Sequence, residues 1–231
     1  MSTSGTYNFS PSLGELVIYS FNQAGVRATA LTQEHMTSAR MAANLMLGRW
    51  AADKGVNLWA VDLQTTPLVQ GTTTYTVDPT TVMILDAYIA TVDGSGNEID
   101  RIIMPVSRTE YASYPNKQQQ GFPTVFWFDR LLAPTVTIWP VPDGTQTSLK
   151  YYRVRQIQDA EFKNGLNVEM PNYYLEAFAY GLAYRLAIMW NESKVGMLKP
   201  LADEAYAIAS TQNVENSNVY ITPQLGGYYR P

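Results

Sequence analysis

The sequence predicts an α+β chain: a four-helix bundle of two N-terminal and two C-terminal helices, an antiparallel β-sandwich or small barrel inserted between the pairs, and an extended C-terminal arm. Three observations predict it. Apolar residues recur with the helical period at both ends of the chain, they alternate with period two through the middle, and the final stretch is turn-rich yet aromatic. The expected division is 1–57 for the first helix pair, 58–155 for the β insertion, 156–216 for the second pair and 217–231 for a docking arm.

The first helix starts at a capping box, Ser12-Leu13-Gly14-Glu15, in which a hydroxyl and a carboxylate each satisfy an orphan amide. Leu13, Leu16, Val17, Phe21 and Ala24 then keep helical spacing until Gly25 stops it. A second start follows at Thr32, with Leu31 and Met36 spaced as a hydrophobic staple. Its apolar face is Met36, Ala39, Ala43, Met46, Leu47 and Trp50, ending at Gly55.

From 58 to 154 the chain turns to β-branched and aromatic residues in alternation. Strands are expected at Leu58 to Leu63, Thr72 to Val77, Val82 to Val92, Arg101 to Val106, Thr124 to Phe128, Thr135 to Trp139 and Ser148 to Val154. Asp93 to Asn97 reads as a hairpin turn and Pro140 to Gly144 as another, with prolines at run ends where no ladder donor is needed. Ser107-Arg108-Thr109-Glu110 is a further capping box, opening a short helix through Tyr111 and Tyr114. The loop after it, Pro115 to Gly121, carries Lys117, Gln118, Gln119 and Gln120. It reads either as a solvated loop or as a tip that touches a neighbouring protein.

Met170 to Trp190 predicts one long helix that is apolar or aromatic almost all round, Glu176 and Arg185 being its only charges. One stripe runs through Leu175, Phe178, Leu182, Leu186 and Met189 and suits an internal core. A second runs through Tyr173, Ala177, Tyr180, Tyr184 and Ile188. Tyrosine buries much area with few torsions to freeze and keeps a hydroxyl for pairing, so this stripe reads as a subunit interface, Tyr173, Tyr180, Tyr184 and Ile188 above all. The competing reading is a central helix hidden on both sides within its own domain. A last helix is expected from about Lys194 to Glu215, with Met197, Leu198, Leu201, Ala205, Ile208 and Ala209 on one face and Pro200 in its first turns. The tail beyond it is too short to fold alone, yet carries Tyr220, Ile221, Leu225, Tyr228 and Tyr229, whereas free tails are usually polar.

Composition excludes much chemistry. The chain has no cysteine and one histidine, His35, which removes thiolate metal sites, Cys nucleophiles and multi-His centres. His35 falls at the third position of the second helix with no nucleophile visible around it. Glu110, Asp129, Asp143 and Glu161 could supply a carboxylate pair, but such pairs have no sequence signature. Gly94-Ser95-Gly96 lies between strands and offers no helix N-terminus to an anion, and Asp53, Asp62 and Asp78 lack EF-hand spacing. No cofactor and no enzymatic activity are expected.

Charged residues make up 16%, below the roughly 25% of soluble domains, and 16 Tyr and 5 Trp lean towards the composition of interface cores. The net charge of -4 argues against gripping nucleic acid, which needs clustered cations. MSTSGTYNFS lacks the basic and apolar regions of a secretory signal, so use within a cytoplasm is expected. Tyr173 to Trp190 approaches membrane-spanning length, but its charges and tyrosines argue against a bilayer.

Five segments in order carry a resemblance: Pro105-Val106-Ser107-Arg108-Thr109-Glu110-Tyr111; Gly121-Phe122-Pro123-Thr124 before an aromatic strand; Val136-Thr137-Ile138-Trp139-Pro140-Val141-Pro142; Leu149-Lys150-Tyr151-Tyr152-Arg153; and Met170-Pro171 opening the Tyr- and Ala-rich helix. Together, over about residues 10 to 215, the chain resembles the head-to-tail adaptor proteins of short-tailed bacteriophages. The resemblance implies a structural virion protein at the capsid vertex and neck, assembled in the host cytoplasm as a ring of twelve copies. Such a ring binds the phage portal protein on one face and the tail nozzle protein on the other, and DNA passes through its channel without specific binding. The arm would reach the portal through Tyr220, Ile221, Leu225, Tyr228, Tyr229 and Arg230. Two alternatives stay open, a virion-associated cell-wall hydrolase and a monomeric β-rich binding module.

Overall fold

A computed structural model describes residues 9–52, 57–162 and 169–214. Helices α1 (Leu13–Ala24) and α2 (Gln33–Ala51) come first, then strands β1 (Val61–Pro67), β2 (Thr74–Thr76), β3 (Thr81–Val92) and β4 (Glu98–Pro105). A short helix α3 (Arg108–Ser113) leads to β5 (Val125–Asp129), β6 (Thr135–Trp139) and β7 (Gln146–Arg155), and α4 (Leu175–Trp190) and α5 (Glu192–Gln212) close the described chain. The architecture is α+β, as expected.

The helix starts follow their caps. Ser12 Oγ accepts the Glu15 amide at 3.3 Å while Glu15 returns a carboxylate to the Ser12 amide at 2.8 Å. At α2 the box closes with His35: the Thr32 amide donates to its Nδ1 at 3.2 Å, and the ring stacks on Trp190 at 4.7 Å. That histidine is a cap. Gly25 ends α1 at φ 87°, a left-handed conformation that costs a residue with a Cβ.

Helix α4 sits at the centre of the helical half. Leu175, Phe178, Leu182 and Leu186 are buried, and so are Ala177, Ala179, Gly181, Ala183 and Ala187 around the rest of the helix. They join Leu13, Val17 and Phe21 of α1, Ala43, Met46 and Leu47 of α2, and Leu198, Ala205 and Ala209 of α5 in one core. The small residues let neighbouring helices approach. A Cβ on Gly181 would lie 2.7 Å from Met46 Sδ. The central-helix reading therefore holds for most of α4: its small residues give α1, α2 and α5 room to cover it. Ala177 of the second stripe is core, and Met189 of the first is half exposed.

Helix α5 starts earlier than spacing predicts. It begins at Glu192, Asn191 serving as the boundary of both helices, so Pro200 lies inside the helix. Proline there leaves the Gly196 carbonyl without its amide donor, and Gly196 is exposed, so water can take that place. Only Leu198, Ala202, Ala205 and Ala209 of α5 are buried. Met197, Leu201 and Ile208, read from spacing as one face with them, point out instead.

The seven strands form one sheet in the order β1-β7-β3-β4-β5-β6-β2. Tyr75 and Val77, in and beside one edge strand, share a core with Leu149 and Tyr151 from the far side, so the sheet curls around its own apolar face. It is not wholly antiparallel. Strands β4 and β5 run parallel, Met104 opposite Val125 and Pro105 opposite Phe126, because α3 and its loop turn the chain over between them. The Asp93–Asn97 hairpin joins β3 to β4 as expected, its Gly96 at φ 85°. Pro140 to Gly144 does not make a hairpin: it carries the chain from β6 to β7, which pair with different strands. The first strand starts at Val61, after a 3-10 turn at Leu58–Ala60.

Asn44 ties the helices to the segment that returns from the sheet. Its side-chain amide donates to the Ala160 carbonyl at 3.2 Å and accepts the Ala160 amide at 2.7 Å.

Candidate interaction surfaces

With α4 largely enclosed, what it leaves open lies towards its C-terminus and in two clefts beside it. Tyr173 and Ile188 are exposed at the two ends of the helix, 39% and 54%. Tyr180 and Tyr184 between them are half-buried and face different clefts. Tyr180 lines an apolar groove of about 690 Å³ between α1 and α4, together with Phe9, Tyr19 and Leu175. A hydrogen bond with Tyr19 pushes the Tyr180 phenol up from its ordinary pKa. Tyr184 lines a smaller notch shared with α2 and α5. Tyr173 precedes α4, in the 3-10 turn Asn172–Tyr174, so the long helix expected from Met170 begins at Leu175 instead.

The loop after α3 is pinned at its base. Tyr111 stacks on Trp127 at 5.7 Å and Tyr114 on Trp139 at 4.4 Å, and Trp139 Nε1 donates to the Asn116 carbonyl at 2.9 Å. Lys117, expected to reach a partner, is spent locally: its ammonium donates to the Ala112 and Tyr114 carbonyls at 3.0 and 2.9 Å, capping the C-terminus of α3. Gln118, Gln119 and Gln120 stay exposed above a backbone held by Val141, whose amide donates to the Gln119 carbonyl at 2.8 Å. A fixed backbone with free amide side chains is a surface that can bind with little ordering cost.

Periodicity missed one apolar feature. The turn joining β5 to β6 places Leu131 and Leu132 at its tip, Leu132 fully exposed. The signal was present, since a Leu-Leu pair where polar turn residues are usual is out of place. On the convex side of the sheet Ile102 and Met104 of β4 are likewise exposed, with Tyr88 opposite Ile102 in the ladder. Met41 and Leu45 form a similar pair on the outer side of α2.

The carboxylates weighed for catalysis have structural partners or stand apart. Asp143 accepts the Thr145 amide and hydroxyl at 3.1 and 2.7 Å, which holds its carboxyl below the ordinary range. Asp62 and Asp78, isolated in sequence, converge on Arg153, at 2.7 and 3.3 Å. Among the described residues no group of three metal-binding side chains is found, and no helix is long and apolar enough to cross a membrane. Asp53 and the arm residues Tyr220, Ile221, Leu225, Tyr228, Tyr229 and Arg230 lie outside the described residues.

No curated protein matches the chain. The family described as SU10 adaptor protein matches residues 23–218, from the end of α1 through the sheet and past α5, and stops short of most of the tail. A match over most of the length assigns it: the chain belongs to the SU10 adaptor family and is a structural adaptor of a bacteriophage virion.

Proposed function

We propose that this protein is the head-to-tail adaptor proper: a homo-oligomeric ring of twelve copies, assembled in the host cytoplasm, that binds the portal protein above and the tail nozzle protein below and lines the channel through which DNA leaves. In this reading the helical parts, 1–57 and 156–216, build the ring wall and the β insertion, 58–155, projects from it. Segment 217–231 reaches the portal through Tyr220, Ile221, Leu225, Tyr228, Tyr229 and Arg230.

The observation that supports it best is apolar area left uncovered on several sides of one chain. Ile188, Met197 and Ile208 crop out on the helices and Leu131 and Leu132 on a turn. A ring contact repeated around an axis joins one face of each copy to a different face of the next, so uncovered area on more than one side is what it needs. The β5–β6 turn and the Gln118 to Gln120 loop are the surfaces assigned to the nozzle. The acidic balance suits a channel that passes phosphates without holding them.

Electron microscopy of purified protein mixed with portal tests the reading: rings stacked on the portal are expected. Removing 217–231 should abolish attachment while leaving the melting temperature unchanged. Attachment that survives the truncation refutes the arm.

A further inference from the structure

Helices α2, α4 and α5 meet around a notch of about 110 Å³ lined by Arg49, Trp50, Tyr184, Arg185, Asp203 and Tyr206. Two of these are cations. Arg185 Nη1 donates to the Gly181 carbonyl at 3.0 Å, one turn back on its own helix. Neither guanidinium has a carboxylate within ion-pair distance among the described residues. Burial first, and the charge of Arg49 second, push the Arg185 pKa down, yet a guanidinium stays protonated at any pH the molecule meets. A part-buried charge beside an exposed like charge, with no carboxylate bonded to either, is an arrangement that an added carboxylate would relieve.

The shape of the notch narrows the missing partner. Its size admits a small polar group such as a carboxylate. Trp50 and Tyr206 form one wall, stacked at 5.3 Å and 25°, and a flat wall beside planar guanidinium forks suits a planar anion. The chain itself carries more Asp and Glu than Lys and Arg, 20 against 16, and Glu34, Glu176 and Glu192 are exposed on its helices, outside any ion pair among the described residues.

We propose that this notch is a socket for one carboxylate side chain of a second copy of this chain, an assignment that rests on the ring reading above. Asp203 lines the notch without pairing to either arginine, so its charge opposes an incoming carboxylate.

Thermal melts of dilute protein test the socket, comparing sodium acetate with sodium chloride at equal ionic strength. Acetate should raise the melting temperature of the natural protein by about 2–4 °C. It should leave Arg185→Met unmoved, give a smaller rise in Arg49→Met, whose exposed position keeps the fold safe, and a larger one in Asp203→Asn. Equal melting in the two salts overturns the socket, as does an equal rise in Arg185→Met. Inorganic phosphate stabilising more than acetate overturns the carboxylate assignment. Sedimentation with portal present tests the source: rings of natural protein that weaken at least tenfold in Arg49→Met support a second copy, and unchanged rings refute it. Natural protein that never assembles refutes the ring and the second copy together, while the melts still judge the socket.

Discussion

Arg153 and Asp62 face each other across β7 and β1 as register partners, with Arg153 Nε and Nη2 donating to the two carboxylate oxygens at 2.7 and 3.3 Å. The guanidinium is 6% exposed and also reaches Asp78 and the Thr81 hydroxyl. One buried cation therefore joins β1, β7, β3 and the turn before it.

Hydrogen bonding from Arg153 holds the Asp62 carboxyl below its ordinary value. Because the folded pKa is depressed, the stability it brings is fully present above the unfolded value of about 3.9 and is lost as pH falls from there through the lower folded pKa. Asp62→Ala should cost about 2 kcal/mol at pH 7, less than a fully buried pair since the carboxylate is one-third exposed. Denaturant midpoints should converge with those of the natural protein as pH falls through the depressed pKa of Asp62. A difference that stays constant with pH would show that the charge of the pair contributes nothing.

Gly25 and Asn191 are a second coupled pair. The Asn191 amide donates to the Ala24 carbonyl at 3.0 Å, and a Cβ on Gly25 would meet that same Nδ2 at 2.5 Å. Gly25→Ala therefore pays for left-handed strain and displaces the bond, an expected loss of about 2 kcal/mol. Asn191→Ala should cost about 1 kcal/mol, and the double variant less than their sum.

The two stripes of α4 separate by mutation. Leu182→Ala should destabilise by about 2–5 kcal/mol because the cavity is fully enclosed. Ile188→Ala should stay within about 0.5 kcal/mol in the monomer and act on assembly instead. Chemical denaturation beside sedimentation checks both.

Leu131→Ser with Leu132→Ser should leave the melting temperature unchanged and the far-ultraviolet spectrum intact. Attachment of the tail nozzle to purified heads should fall at least tenfold. Normal tail attachment would remove this turn from the nozzle surface.

Asn44→Ala removes both bonds to Ala160, for a cost of about 2 kcal/mol. Hydrogen exchange at the Ala160 amide should accelerate more than exchange in β3, since the loss is local.

Caps, turns and periods are local chemistry, and the sequence alone determined what depends on them. Ser12 with Glu15, Thr32 with His35, Gly25 and the Asp93–Asn97 hairpin all stand where spacing put them, and β6 begins and ends as read. Tertiary structure decided which strands meet and which apolar faces are covered. The parallel β4–β5 pair, the convergence of Asp62 and Asp78 on Arg153, and the enclosure of α4 all join residues far apart in the chain. Periodicity reports that a face is apolar, whereas its neighbour depends on packing: Leu182 joins the core that the helices share, while Ile188, in the same helix, faces outward.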